Sequence, residues 1–178
     1  MDIIPEHSTV SLVALPKGEL LGGTTTSPGT GGEQKAKEAE LYIMGMATKK
    51  LNWHQAVFPG VQEYSDMCLG PKGLIYGIAD RKRFFVFDAA KRTVVYERDV
   101  SADLGPTTGQ QGPRIFVRGA EGTIYVLFVK GITRVEPATF SLTMVAQSPV
   151  PIDAGGDYLD GRIYFASGSH LYSYEIKK

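Results

Sequence analysis

Cysteine is almost missing from this chain. Cys68 stands alone, so no disulfide can close within it, and cysteine usage carries no signal of a redox compartment. Cys68 lies in a strand pattern, Asp66-Met67-Cys68-Leu69, where an inert, buried thiol is expected. One cysteine and three widely separated histidines give no zinc-type ligand spacing, so no metal site is expected. Asparagine is reduced to Asn52, leaving the turns to Gly, Asp-Gly and Pro-Lys-Gly. An excess of either charge is also missing. Nineteen Lys and Arg balance nineteen Asp and Glu, which argues against nucleic acid or an anionic membrane as partner, since both reward a basic patch. No apolar run approaches the length of a membrane helix. Met1 to His7 lacks the basic region and apolar core of a signal peptide, so the expectation is a soluble protein, cytoplasmic if the chain is complete.

What is present is a repeat. The 178 residues are 43% hydrophobic, enough for a substantial core. Gly-x-Ile-Tyr recurs at Gly73–Tyr76, Gly122–Tyr125 and Gly161–Tyr164, each time followed after about ten residues by a second aromatic or β-branched strand. A weaker first copy, Gly18-Glu19-Leu20-Leu21, resumes at Leu41-Tyr42-Ile43-Met44 after an insertion. A repeat of roughly 40–50 residues built from four short strands is the signature of a β-propeller blade. The predicted fold class is therefore all-β, a propeller of four-stranded antiparallel blades, about four per chain.

The second blade is the clearest: Tyr64–Leu69, Leu74–Ala79, Phe84–Phe87 and Thr93–Arg98 are short, β-branched or aromatic, and bounded by turn residues. The blades run over about 8–60, 61–108, 109–149 and 150–178 as one propeller unit. The fourth ends without a last strand, and the surplus segment 1–7, around Ile3 and Ile4, is expected to complete a fourth blade. That would cover an edge which otherwise invites aggregation. Near-continuous apolar runs imply strands buried on both faces, so Leu12, Val13, Ile75, Phe85, Phe87, Ile115, Ile124, Val135, Ile163 and Tyr172 are expected in the core.

The segments Pro71-Lys72-Gly73-Leu74-Ile75-Tyr76-Gly77, Phe85-Val86-Phe87-Asp88-Ala89-Ala90-Lys91 and Arg162-Ile163-Tyr164-Phe165 resemble blades of the NHL, YVTN and virginiamycin-lyase-like propeller group. The resemblance covers nearly the whole chain. It is closest to the C-terminal halves of larger bacterial propellers, where Gly-Gly-Thr before a Gly-rich insertion resembles Gly22-Gly23-Thr24. The virginiamycin-type enzymes use a catalytic histidine near a metal, and no position here matches that pattern. The resemblance implies a fold; fold alone does not give function.

In propellers, ligands usually bind where the d–a and b–c connections gather, the top face. The b–c insertion of the first blade, Thr24 to Ala39, is expected there, with Thr24 and Thr25 offering donors to a ligand. Gly31-Gly32-Glu33-Gln34-Lys35 lacks the Gly-Lys-Ser/Thr ending of a P-loop. The d–a connections bring His7 to the first blade, Glu63 and Asp66 to the second, Gln111 and Arg114 to the third, and Asp153 and Asp157 to the fourth. Arg114 could bind an anionic group bidentately. The reading is a non-catalytic module that binds a small polar ligand, a glycan or a protein on its top face, with no cofactor. The alternatives are a metal-assisted lyase or hydrolase acting at the channel mouth, and a structural half of a larger propeller. Because an arc of four blades would leave two apolar faces open, the expected assembly is a homodimer closing an eight-bladed ring.

Overall fold

The computed structural model describes residues 3–29, 31–109 and 115–176. They form four up-and-down sheets in chain order. The first is β1 (Ser8–Leu15), β2 (Glu19–Thr25), β3 (Leu41–Gly45) and β4 (Leu51–Gln55); the second is β5 (Asp66–Leu69), β6 (Leu74–Ala79), β7 (Arg83–Asp88) and β8 (Thr93–Asp99). A single helical turn, α1 (Ser101–Leu104), leads to the third sheet: β9 (Phe116–Arg118), β10 (Ile124–Phe128), β11 (Gly131–Val135) and β12 (Leu142–Gln147). The fourth sheet has three strands, β13 (Ala154–Leu159), β14 (Arg162–Ser167) and β15 (His170–Glu175). Each sheet is a propeller blade, and the fold is the all-β propeller expected from the repeat. The chain divides into two compact units, Met1–Glu97 and Arg98–Lys178, with two blades in each.

The turns explain why the strands reverse where they do. Between the first two strands of three blades stand Pro16-Lys17-Gly18, Pro71-Lys72-Gly73 and Ala120-Glu121-Gly122. The middle residue of each is left-handed (φ 63°, 58° and 54°) and the following glycine continues that hand. Glycine adopts this conformation freely, which is why it closes each turn. In the fourth blade Asp160 and Gly161, both at positive φ, make the tight hairpin.

Packing within the first unit sets Val13, Leu21, Leu41 and Ile43 of the first blade against Met67, Ile75, Phe85 and Phe87 of the second. Phe85 is the centre of an aromatic group: its ring lies 5.4 Å from Phe58 and 5.8 Å from Tyr64, both edge to face. It lies over Gly77, its ladder partner, where a β-carbon would sit 2.1 Å from the ring. Trp53 stacks on Phe87 at 5.6 Å. In the second unit Val117, Tyr125, Leu127 and Ile132 of the third blade pack with Ile163 and Phe165 of the fourth. Each fully buried aliphatic or aromatic side chain of this kind contributes roughly 1.5–3 kcal/mol.

Of the ten expected core residues, eight are buried. Leu12 is exposed, because adjacent strand residues point to opposite faces: Ser11 and Val13 face the second blade, and Leu12 faces away from it. Tyr172 is half-buried, stacked on Phe165 at 5.8 Å. Cys68 is half-buried rather than enclosed.

Among the described residues of the segment expected to complete a blade, Ile3–His7 form no strand. Met1 and Asp2 lie outside the described residues, and Ile3–Glu6 fold into turns. The His7 amide donates to the Ile4 carbonyl, Ile4 is buried, and Pro5 has no amide to give a ladder. Local burial and turn bonds hold the segment in this conformation.

Candidate functional site

Strand β2 runs on through Thr25, so Thr24 and Thr25 end a strand and the insertion starts at Thr26. All three threonines are buried. Thr24 Oγ1 donates to the Glu40 carbonyl at 3.0 Å and accepts from the Glu40 amide at 2.8 Å, tying the two ends of the insertion together. Thr26 Oγ1 donates to Gln62 Oε1 at 2.8 Å. Gln34 Nε2 donates to the same Gln62 oxygen at 2.8 Å. Gln62 Nε2 in turn donates to the carbonyls of Lys37 and Gly60. Gln62 therefore fastens the insertion from both sides. Ala36 and Ala39 are buried beneath it, and the charged groups Glu33, Lys35 and Lys37 remain exposed.

The connection from the first blade to the second lies along this edge. The Thr26 amide donates to the Gln62 carbonyl, the Tyr64 amide to the Thr24 carbonyl, and Thr25 pairs with Glu63 in a short bridge. Asp80, at φ 47° in the b–c turn of the second blade, accepts the amides of Gln62 and Glu63 on one carboxylate oxygen at 2.9 and 3.0 Å. Thr24, Thr25 and Glu63 thus come together, joined by Thr26, Gln34, Gln62 and Asp80. Asp66 begins β5, and its Oδ1 accepts the Met67 amide. His7 sets its two ring nitrogens 2.8 Å from the carbonyl oxygens of Pro5 and Glu38.

In the second unit, Asp153 Oδ2 accepts the Gly168 amide at 2.8 Å, and its carbonyl accepts the Thr108 hydroxyl. Asp157 lies on β13, where Oδ1 accepts the Tyr158 amide at 2.8 Å. Gln111 and Arg114 lie outside the described residues. Among the described residues no group of three or more His, Cys, Asp or Glu side chains is placed to hold a metal ion. His54 Nδ1 sits 2.5 Å from Glu40 Oε2 on the outer strand of the first blade, half-exposed. His170 is exposed, with the Ser169 hydroxyl 3.5 Å from Nδ1, too long a contact to activate an alcohol.

Sequence reasoning placed Thr24 and Thr25 in a loop, where the structure has them end β2, and it missed Gln34, Gln62 and Asp80 as the joints. Asp80 carried a signal, an aspartate opening the polar turn after a strand. Gln62 carried none. Burial shapes the titration of several tyrosines: Tyr64 is pushed far above the usual phenol range by desolvation, and Tyr76 and Tyr125 are raised for the same reason. In the c–d turn of the second blade, the Lys91 amide leads in holding the Asp88 carboxyl below its ordinary value, with the Lys91 ammonium 3.1 Å away.

No protein-family model and no curated protein matches the chain. Solved structures do. The β-propeller domain of Cps50 (Swd1) from Myceliophteria thermophila matches 97% of the chain at 12% identity and a TM-score of 0.65. BamB from Moraxella catarrhalis matches 97% at 14% identity and 0.63. The computationally designed Ika4 protein matches 96% at 11% identity and 0.58. The chain spans 55% of the Cps50 domain and 48% of BamB, but 92% of Ika4. No helix among the described residues is long and apolar enough to cross a membrane. At these identities the likeness shows the fold, and the fold is a β-propeller.

Proposed function

We propose that this chain is a non-catalytic binding module, a propeller that presents its top-face connections to a small polar ligand, a glycan or a protein. The observation that carries the reading is how the polar groups of the connections within each unit are used. Asp80 spends an oxygen on two backbone amides, Asp153 binds the Gly168 amide, and Thr24 and Thr26 are buried in bonds that fasten the insertion. Groups bonded in this way build a fixed surface. A general acid or nucleophile instead needs a free, activated atom aimed at substrate. The exposed Glu33, Lys35 and Lys37 are what the fastened insertion offers to a partner. The repeat motifs resemble those of the NHL and YVTN propellers, and the chain's span of about half of Cps50 and BamB supports a working form that pairs with a second copy to complete an eight-bladed ring.

A thermal-unfolding panel of sugars, small carboxylates and divalent ions tests the binding reading, because a ligand that binds only the folded state raises the midpoint. A sugar or carboxylate shift abolished by Lys35→Ala plus Lys37→Ala supports it. A shift produced by a divalent ion, together with turnover of an added glycan, overturns it in favour of a metal-assisted lyase or hydrolase.

A further inference from the structure

The blades repeat, so equivalent positions can be compared between a blade that has a neighbour on a given face and one that ends the chain. In the second blade the row Met67, Gly77, Phe85 crosses the sheet, with the Phe85 ring over Gly77. This face packs on the first blade, and Met67 is 5% exposed. The first blade carries the same row as Leu12, Gly22 and Tyr42, with the Tyr42 ring over Gly22. Here Tyr42 is fully buried, but on β1 Leu12 is 55% exposed and Val10, at the adjoining bulge, 41%. At the other end of the chain the comparison repeats. Tyr125, Leu127 and Ile132 of the third blade face the fourth blade, and Ile132 is 1% exposed. Their counterparts in the fourth blade are Tyr164, Ala166 and Leu171, and Leu171 is 75% exposed. Beside Leu171 the glycines Gly155 and Gly156 leave a recess of about 320 Å³, lined also by Ala154, Tyr164, Phe165 and Ala166, with Asp157 as its one charged residue.

We infer that the first-blade face bearing Val10 and Leu12 docks on the fourth-blade face bearing Tyr164 and Leu171 of a second copy of this chain, with the aliphatic side chains of β1 entering the recess beside Gly155 and Gly156. This rests on the half-ring reading and assigns its junctions. The occupant is argued from the molecule itself. Each open face is the repeat equivalent of one that an adjacent blade covers inside the chain, so what fits it is a blade of the same construction. The face before the first blade needs the trailing face of a last blade, and the face after the fourth needs the leading face of a first. A second copy brings both. Two copies then make two identical junctions and cover both of these faces, as in the closed two-fold arrangement that symmetric pairs adopt.

Because Leu12 and Leu171 are exposed in one chain, charged substitutions at them leave the single chain folded, which far-ultraviolet circular dichroism checks. Leu12→Asp and Leu171→Asp should each disrupt both junctions and raise the dissociation constant about thirtyfold or more, the effect of losing one central interface anchor. Combining Leu12→Asp with Leu171→Lys in one chain should recover much of the pairing, since each junction then sets an aspartate near a lysine. Mass by light scattering across a dilution series reads all three. If the parent chain pairs and both single variants pair equally well, the assigned faces are wrong while the half-ring reading stands. If the parent chain has the mass of one copy at micromolar concentration, both fall, and the faces belong to a further segment of a longer chain or to another protein.

Discussion

The packing of Phe85 over Gly77 yields a prediction that can be worked through in full. Phe85 is fully buried and makes edge-to-face contacts with Phe58 at 5.4 Å and Tyr64 at 5.8 Å. Phe85→Ala removes a core aromatic and should cost about 3–5 kcal/mol, of which each aromatic pair accounts for roughly 0.5–1.5 kcal/mol. Gly77→Ala perturbs the same contact from the other side. The new methyl would lie 2.1 Å from the Phe85 ring, and the ring, enclosed by Phe58 and Tyr64, can yield only by disturbing them, at about 1–3 kcal/mol. The two changes are therefore coupled. In the Phe85→Ala background the Gly77 methyl meets a void, and its cost should shrink to about zero or reverse in sign. Urea unfolding followed by fluorescence suits the measurement, because Trp53 is the sole tryptophan and stacks on Phe87 in the same core. A double-mutant cycle then reports a coupling of at least about 1 kcal/mol. Additive effects, or a Phe85→Ala cost below about 1 kcal/mol, would show that the ring does not lie over Gly77 and that this register of β6 against β7 is wrong.

Ile75→Ala, at a fully buried position in the same core, should lose about 2–5 kcal/mol in the same assay. Gly131→Ala should destabilise the second unit, because its methyl would fall 2.3 Å from the Ala146 backbone carbonyl, and far-ultraviolet melting should register the loss. Gln62→Ala strips three side-chain hydrogen bonds from the insertion and one to Gly60; it should cost about 1–3 kcal/mol and speed proteolysis within residues 27–38, while unchanged cleavage would mean that the insertion is held by other contacts. The Asp88 carboxyl is held below its ordinary value in the folded chain, so it adds stability above the unfolded-state value of about 4 that is lost as pH falls through the lower folded value. Asp88→Asn should flatten that part of the acid limb of the stability curve, and an unaltered limb would remove Asp88 as a contributor.

Much of the architecture was written in patterns that one sequence displays. The boundaries of β6 match the run Leu74–Ala79, and β7 extends the run Phe84–Phe87 by one residue at each end, because two-sided burial demands an apolar run and the turn residues on either side end it. Position along an inner strand was harder to read. Leu12 and Val13 are adjacent and both aliphatic, and only the presence of a neighbouring blade decides which face is buried. The fourth blade exposed a different limit. A surplus segment and a missing strand matched in number, but Pro5 and the burial of Ile4 turned the segment into a local fold. At the candidate site, Thr24 and Thr25 were legible as polar groups at the start of the insertion. The joint at Gln62 was not, since an amide side chain that bonds residues 28 and 36 positions away leaves no periodic trace.

The central claim is that this four-blade chain works as half of a ring. Light scattering on the purified chain at micromolar concentration tests it most directly. The account predicts twice the 19.3 kDa of one chain, held across a tenfold dilution; a stable mass of a single copy would contradict it.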